Sequence, residues 1–168
     1  VPYSSFLSLP SALEAFGVTS DPSYLEFSEK LARILLERYS AEDGGFFDIP
    51  FSKEEGHLRF RERRIQDTPA PSPNATAAWA LLKLYHLTER QEYLEKVESL
   101  LRFFNEEANA LSYFAAGYAR VLDFYLKGAT KIILSGKKED PLFQSLREAG
   151  LFNSCPYLVI LPLTKEAR

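Results

Sequence analysis

Two loops decide the fold of this chain: Asp43-Gly-Gly-Phe-Phe-Asp48 and Asp67-Thr-Pro-Ala-Pro-Ser-Pro-Asn74. The glycine pair of the first loop allows positive φ values beside two bulky aromatic residues. The second loop is stiffened by proline and leads directly into the alanine-rich run 75–85, which is typical of a helix. Both loops place carboxylates beside aromatic side chains, so we expect a functional site between them.

Helical patterns lie on both sides of these loops. Ser72 before Pro73 is typical of an N-cap with proline at the first helical position, and Asp21 before Pro22 repeats the device. These signals predict helices over 74–87 and from Pro22 to about Tyr39. Three further helices are predicted: one over 8–16 ended by Gly17, one opened by a capping box over 88–91, and one over 112–126 that is apolar on most sides and stops at Gly128.

The C-terminal part of the chain has a strand, helix and strand pattern. The apolar runs 131–134 and 157–161 are short enough for strands, and Asp140-Pro141 opens a helix that ends at Gly150. A strand, helix and strand of this size predict a parallel pair with a right-handed crossover.

The charged segment between the two loops lacks the apolar periodicity of the predicted helices. Phe46 to Ile49 is short and extended, and polar and apolar residues alternate over 57–65. Alternation of this kind is typical of a strand, so we predict a β-hairpin insert. Its polar side carries four basic residues: His57, Arg59, Arg61 and Arg63.

The predicted fold class is therefore mainly α, with antiparallel helical hairpins, a β-hairpin insert and a small C-terminal β-α-β unit. No linker divides the chain, so residues 1–168 are predicted to be one domain, with a helical part over 1–128 and an α/β appendage over 129–168. The chain begins at Val1 and contains no methionine, which favours a fragment of a longer protein.

Composition excludes several function classes. A net charge of −3 gives no reason to expect nucleic acid or an anionic membrane as a partner. The longest apolar run is far shorter than the ~20 residues that span a membrane. Cys155 is the single cysteine, which gives neither an internal disulfide nor a metal cluster, so we predict a cytoplasmic location and no cofactor.

Several motifs in one order resemble a known family. The resemblance rests on five motifs: the Gly44-Gly-Phe-Phe-Asp48 loop, the Asp67 to Asn74 loop, the Ala-Ala-Trp-Ala-Leu-Leu-Lys-Leu run at 77–84, the turn at 87–94, and the terminal strand, helix and strand. Together they look like the C-terminal portion of the thioredoxin-domain-containing, spermatogenesis-associated protein-like family. At one loop the family pattern is close to Asp-Gly-Ala-x-Pro-Ser-Gly-Asn, whereas here Thr68 and Pro73 occupy the glycine positions.

This resemblance implies more than the residues do by themselves. It implies that the helical hairpins form part of an (α/α) toroid of the six-hairpin glycosidase and N-acylglucosamine 2-epimerase type. It also implies a thioredoxin-like domain with redox cysteines N-terminal to the present chain.

Asp48 and Asp67 are the candidate catalytic residues, because hydrolysis of a glycosidic bond needs one carboxyl group as acid and another as base or nucleophile. The alternative is that Asp48 ends a turn and Asp67 binds loop amides. Asn74, in the first turn of its helix, is a candidate ligand for a polar group, and local capping is its alternative.

Phe47 and Trp79 are candidate ligand-binding residues, since flat aromatic walls stack on sugar rings; the alternative is that they belong to the core. The basic residues of the insert could contact phosphate, but a solvated strand face or a contact with another domain is the favoured interpretation. An epimerase would need paired histidines as acid and base, and this chain has only His57 and His86. An epimerase is therefore less favoured than a hydrolase.

Two function classes follow from these observations. The first is a carbohydrate-binding or carbohydrate-processing domain that uses Asp48, Asp67 and Asn74 with Phe47 and Trp79. The second is a noncatalytic scaffold that accompanies a thioredoxin-like domain and packs against the rest of the protein or against a second copy of itself.

Overall fold

The computed structural model describes residues 3–51, 61–152 and 157–164, and these are mainly helical. The helical part consists of α1 (Tyr3–Thr19), α2 (Pro22–Arg38), α3 (Pro73–Thr88), α4 (Gln91–Leu111) and α5 (Ala116–Lys127), with a 3-10 turn over Ser112–Ala115. The C-terminal part consists of β1 (Thr130–Gly136), α6 (Pro141–Leu151) and β2 (Leu158–Thr164).

Three helices begin as the sequence predicts, with a polar N-cap followed by proline. The Asp21 side chain accepts a hydrogen bond from the Ser23 amide, and the Ser72 hydroxyl accepts one from the Ala75 amide, both at 3.0 Å. Asp140 caps α6 in the same way. Each of these three starts is thus capped by the residue that directly precedes the proline.

The first helix is longer than predicted and Gly17 does not end it. Instead α1 runs from Tyr3 to Thr19, passes through Pro10, and ends where Ser20 adopts a φ of 54°. The buried face of α1 explains why proline and glycine do not stop it, because tertiary burial outweighs local propensity. That face consists of Phe6, Leu9, Ala12, Leu13 and Phe16.

The capping box predicted over 88–91 is wrong. Thr88 is still part of α3, and its hydroxyl donates to the Leu84 carbonyl at 2.8 Å. Glu89 adopts a φ of 59° and ends α3, and α4 then starts after Arg90 without a side-chain cap. The helix itself is found as predicted because its apolar stripe packs against α3.

The helix predicted over 112–126 is split and less buried than expected. Ser112 has a φ of 53°, which separates the 3-10 turn from α4. Tyr113 is 76% exposed and Leu126 is 71% exposed, whereas Tyr118, Val121 and Phe124 of α5 are buried. Thus α5 buries one face only, and Gly128 ends it as predicted, at a φ of 73°.

Helix α3 lies at the centre of the helical part. It packs against α1, α4 and α5, and most of its length is buried. Alanines dominate its first turns, so neighbouring helices can approach closely. The buried residues are Asn74, Ala75, Ala77, Ala78, Ala80, Leu81, Leu82 and Leu84.

The strand, helix and strand pattern is confirmed. Strands β1 and β2 pair in parallel, from Thr130 opposite Leu158 to Gly136 opposite Thr164. A small core of Leu134, Phe143 and Ile160 holds α6 against them. Strand β2 also contacts α1 and α3, which joins this unit to the helices.

The β-hairpin insert is not found among the described residues. Residues 40–51 and 61–67 form one antiparallel bridge, between Ser40 and Phe46, and no ladder. The backbone of these segments pairs in part with other backbone, as in the Phe47 amide that donates to the Tyr39 carbonyl at 2.8 Å, and in part with side chains. Residues 52–60, with His57 and Arg59, lie outside the described part of the chain.

The helices pack in sequential pairs, α1 with α2 and α3 with α4. Their assignment to an (α/α) toroid stays a prediction. Within the described residues, no helix has the length and apolarity needed to cross a bilayer.

Candidate functional site

Asn74 ties both loops to the first turn of α3. Its side chain is 2% exposed. The Oδ1 atom accepts a hydrogen bond from the Phe46 amide at 2.7 Å, and Nδ2 donates to the carbonyls of Phe46 and Arg64, both at 3.0 Å. Both amide hydrogens are therefore used inside the protein, and the side chain does not cap α3.

The first loop, Asp43 to Asp48, is called the glycine loop, and it fits tightly against α4. Gly44 and Gly45 have φ values of 129° and 70°, which favour glycine. A Cβ at Gly44 would lie 2.5 Å from the Ser99 carbonyl oxygen, and one at Gly45 would lie 2.8 Å from the Phe104 ring. The loop needs both glycines, for its conformation and for its closeness to the helix.

Two arginines of the predicted basic face are used inside the protein. Arg63 donates to the Gly44 carbonyl at 2.7 Å and pairs with Asp43, and its guanidinium lies 3.9 Å from the centroid of the Phe103 ring. Arg61 lies 3.9 Å from the centroid of the Phe47 ring. The expected solvated strand face is therefore wrong for these two residues, because they hold the glycine loop in place.

A groove of about 380 Å³ lies between the start of α1, the two extended segments and the start of α3. We call it the loop groove. Three of the five predicted site residues line it: Phe47, Asp48 and Asn74. Its remaining lining residues are Phe6, Leu7, Phe46, Glu62, Arg64, Gln66, Thr68, Ala70, Pro71, Ser72, Pro73 and Thr76.

The groove has a row of polar side chains that was not predicted from the sequence. Glu62, Arg64 and Gln66 line the groove, while Ile65 between them is fully buried. Alternate side chains of an extended segment point to opposite sides. The alternation that predicted a basic face on one side of this segment could also have predicted a polar row on its other side.

Asp48 connects the two extended segments at the edge of the groove. Its Oδ1 accepts from the Glu62 amide at 3.0 Å, and its own amide donates to the Glu62 carbonyl at 2.9 Å. The side chain is half-buried, and no hydrogen bond to its Oδ2 is found among the described residues.

Asp67 is turned toward α5 and does not line the groove. Its Oδ1 accepts from the Ser72 amide at 2.8 Å, and its Oδ2 accepts from the Gly117 amide at 2.7 Å. A carboxylate at a helix start is favourable, and α5 has no capping side chain of its own. A Cβ at Gly117 would lie 2.9 Å from this carboxylate, so glycine leaves room for it.

Trp79 lines a different cavity from Phe47, so the two do not form one stacking wall. The indole packs against Phe124 with 4.9 Å between centroids, and the Arg120 guanidinium lies 3.6 Å from its ring centroid. Within the described ranges, no group of three or more His, Cys, Asp or Glu side chains is arranged to hold a metal ion.

Lys96 is a half-buried cation beneath the glycine loop. Its Nζ donates to the Ala41 carbonyl at 2.8 Å and lies 5.0 Å from the centroid of the Phe46 ring. Burial lowers the pKa of Lys96 to about 8, and repulsion by Arg63 acts in the same direction. The lysine therefore opposes folding when it is charged.

We expect Asn74→Ala to lower the free energy of unfolding by about 2–4 kcal/mol, because three buried backbone groups lose their partner. Urea denaturation followed by circular dichroism measures this change. Asn109→Ala is the matched control, since Asn109 is exposed on α4, and it should change stability by less than about 0.5 kcal/mol. Equal effects of the two substitutions would contradict the role assigned to Asn74.

We also expect Lys96 to make stability depend on pH. Between about 8 and 10.5 the unfolded state binds more protons at this lysine than the folded state does, so its contribution to stability rises with pH. Lys96→Met should therefore gain stability relative to the wild type at pH 7 and lose most of this gain by about pH 10.5. Urea titrations across this range measure the difference, and Lys30→Met on α2, which is exposed, should show no such trend.

No family model matches the chain. It is 24% identical over 139 residues to an uncharacterised protein of Caenorhabditis elegans, and 23% identical over 150 residues to spermatogenesis-associated protein 20 of Rattus norvegicus. These matches cover 83% and 89% of this chain but 19% and 18% of the two relatives. The chain thus has weak homology to a spermatogenesis-associated protein and spans about a fifth of the length of the curated relatives it matches.

Proposed function

We propose that the chain binds a polyhydroxylated ligand, a carbohydrate, in the loop groove without cleaving it. The observation that carries this proposal is the polar row of Glu62, Arg64 and Gln66 in one groove with Asp48 and Phe47. A volume of about 380 Å³ lies within the range of small-molecule sites.

The chemistry of the groove suits hydroxyl groups. Each hydroxyl both donates and accepts hydrogen bonds, so its site needs acceptors and donors side by side. The carboxylates of Asp48 and Glu62 accept, and the amide of Gln66 both donates and accepts. The Arg64 guanidinium pairs with one oxygen of Glu62 and has further N–H donors for a ligand. Phe47 supplies an aromatic surface against which the apolar face of a sugar ring can lie.

Binding is favoured over hydrolysis by the position of Asp67. Cleavage of a glycosidic bond needs two carboxyl groups on either side of the bond. Both oxygens of Asp67 accept backbone hydrogen bonds, and Asp67 does not line the groove. Asp48 is left without Asp67 as a partner in catalysis, and Glu62, the other carboxylate of the groove, is paired with Arg64.

Isothermal titration calorimetry with a panel of mono- and disaccharides tests the proposal. We expect at least one sugar to bind, and Arg64→Ala to weaken it about tenfold, as expected for loss of a hydrogen bond to a charged group. Arg102→Ala is the control, because the Arg102 side chain is 82% exposed on α4, away from the groove. The protein should release no reducing sugar from a disaccharide.

Two results would overturn the proposal. One is that no sugar of the panel binds the folded protein. The other is that sugars bind with the same affinity to the Arg64→Ala variant and to the wild type.

A second candidate function is an interaction surface on α1 and α2, as the scaffold hypothesis requires. A shallow groove of about 410 Å³ between these helices is lined by Leu7, Tyr24 and Phe27, which are 59%, 38% and 48% exposed. Clustered exposed apolar residues are typical of interaction sites. The partner would be the rest of a longer protein, including the thioredoxin-like domain that the resemblance implies, or a second copy.

For this second function we expect the chain to self-associate when no other partner is present. Phe27→Asp should shift it to monomer in sedimentation velocity, because a charge on the apolar surface opposes its burial. Phe152→Asp is the control, since Phe152 is 89% exposed in the C-terminal unit. A wild type that stays monomeric at high concentration would contradict this function.

A further inference from the structure

A second cavity, of about 430 Å³, lies between α1, α3, the start of β2 and Arg120 of α5. We call it the indole cavity because Trp79 forms one of its walls. It is separate from the loop groove and shares no residue with it.

Two walls of the indole cavity are formed by apolar side chains of α1 and β2. Leu13 and Phe16 of α1 and Val159 of β2 are each 4% exposed and line it from two sides. The Tyr157 ring stacks on Phe124 with 4.9 Å between centroids, and its hydroxyl donates to Asp123, which fixes this ring beside the indole. An apolar body of a ligand can therefore leave water here.

The rim of the indole cavity carries two cations and one carboxylate. The Lys83 ammonium pairs with Glu14, so its charge is already balanced. The Arg120 guanidinium stacks on Trp79, and no ion pair or hydrogen bond of this group is found among the described residues. With respect to the described residues, Arg120 is thus a positioned cation whose N–H donors remain available to a planar anion.

We propose that the indole cavity binds a small carboxylic acid with an apolar body. Its carboxylate pairs with Arg120 at the rim, and its hydrocarbon part lies against Leu13, Phe16 and Val159. The stacking on Trp79 orients the planar guanidinium, which suits the two parallel hydrogen bonds that arginine makes with a carboxylate.

Other ligand classes fit this arrangement less well. A neutral hydrocarbon would use the interior and leave Arg120 without a partner. Inorganic phosphate would pair with Arg120 and leave the two apolar walls without a partner. A monocarboxylate with an apolar chain uses both features, within a volume typical of small-molecule sites.

The fluorescence of Trp79 tests the proposal directly, because Trp79 is the single tryptophan of the chain and lines the cavity. We expect octanoate to change its emission in a saturable way. Octanol, which has the same chain length and no charge, should bind about tenfold more weakly or worse, since it cannot form the charge-assisted pair.

Two variants test the two parts of the site. Arg120→Gln should weaken octanoate binding about tenfold and leave octanol binding unchanged. Gly17→Leu should weaken both ligands, because no atom lies within 4 Å of the position of its Cβ and the new side chain extends into the space beside the cavity. Leucine also favours a helix more than glycine does, so α1 should stay folded.

Arg102→Gln is the matched control, because it removes an exposed arginine on α4 and should leave octanoate binding unchanged. Thermal melting followed by circular dichroism should show that all three variants stay folded. Absence of a saturable change with octanoate would overturn the proposal. Equal affinities for octanoate and octanol, or for octanoate in the wild type and in folded Arg120→Gln, would overturn it as well.

Discussion

The bidentate contact between the Asn74 side chain and the Phe46 backbone is the constraint on which the rest of the site depends. A buried amide group satisfies both the N–H and the C=O of one residue 28 positions away, and its remaining hydrogen satisfies the Arg64 carbonyl. Unpaired backbone groups are expensive to bury. This contact therefore lets an irregular loop lie inside the protein, where a sheet ladder would otherwise be needed.

The need to pair buried backbone groups also explains why side chains that resemble catalytic groups hold the loops in place. Asp67 closes the proline-rich loop with one oxygen and caps α5 with the other, Asp48 joins two extended segments, and Arg63 holds the glycine loop against α4. These interactions shape the loop groove and place a second row of polar residues, Glu62, Arg64 and Gln66, along it. Asp67 and Arg63 hold the loops without lining the groove, whereas Asp48 does both.

Local signals predicted the elements well. Asp21, Ser72 and Asp140 cap helices because each bonds an amide two or three residues away, and the apolar runs around 132 and 160 form strands because each is short and bounded. The sequence failed where distant burial overrode local preference. Thus α1 continues through Pro10 and Gly17 because its apolar face is covered, and Thr88 bonds within α3 although its spacing to Gln91 fits a capping box.

By itself the sequence determined the helical class, the terminal strand, helix and strand unit, and the importance of the two loops. Those features follow from interactions between near neighbours and from the period of the apolar pattern. Only the tertiary structure decided that Asp67 turns to Gly117 instead of the groove, and that Phe47 and Trp79 line separate cavities. The reason is physical: the direction of a side chain depends on which unpaired backbone group or apolar surface the fold brings to it, and those partners lie up to fifty residues away in the chain.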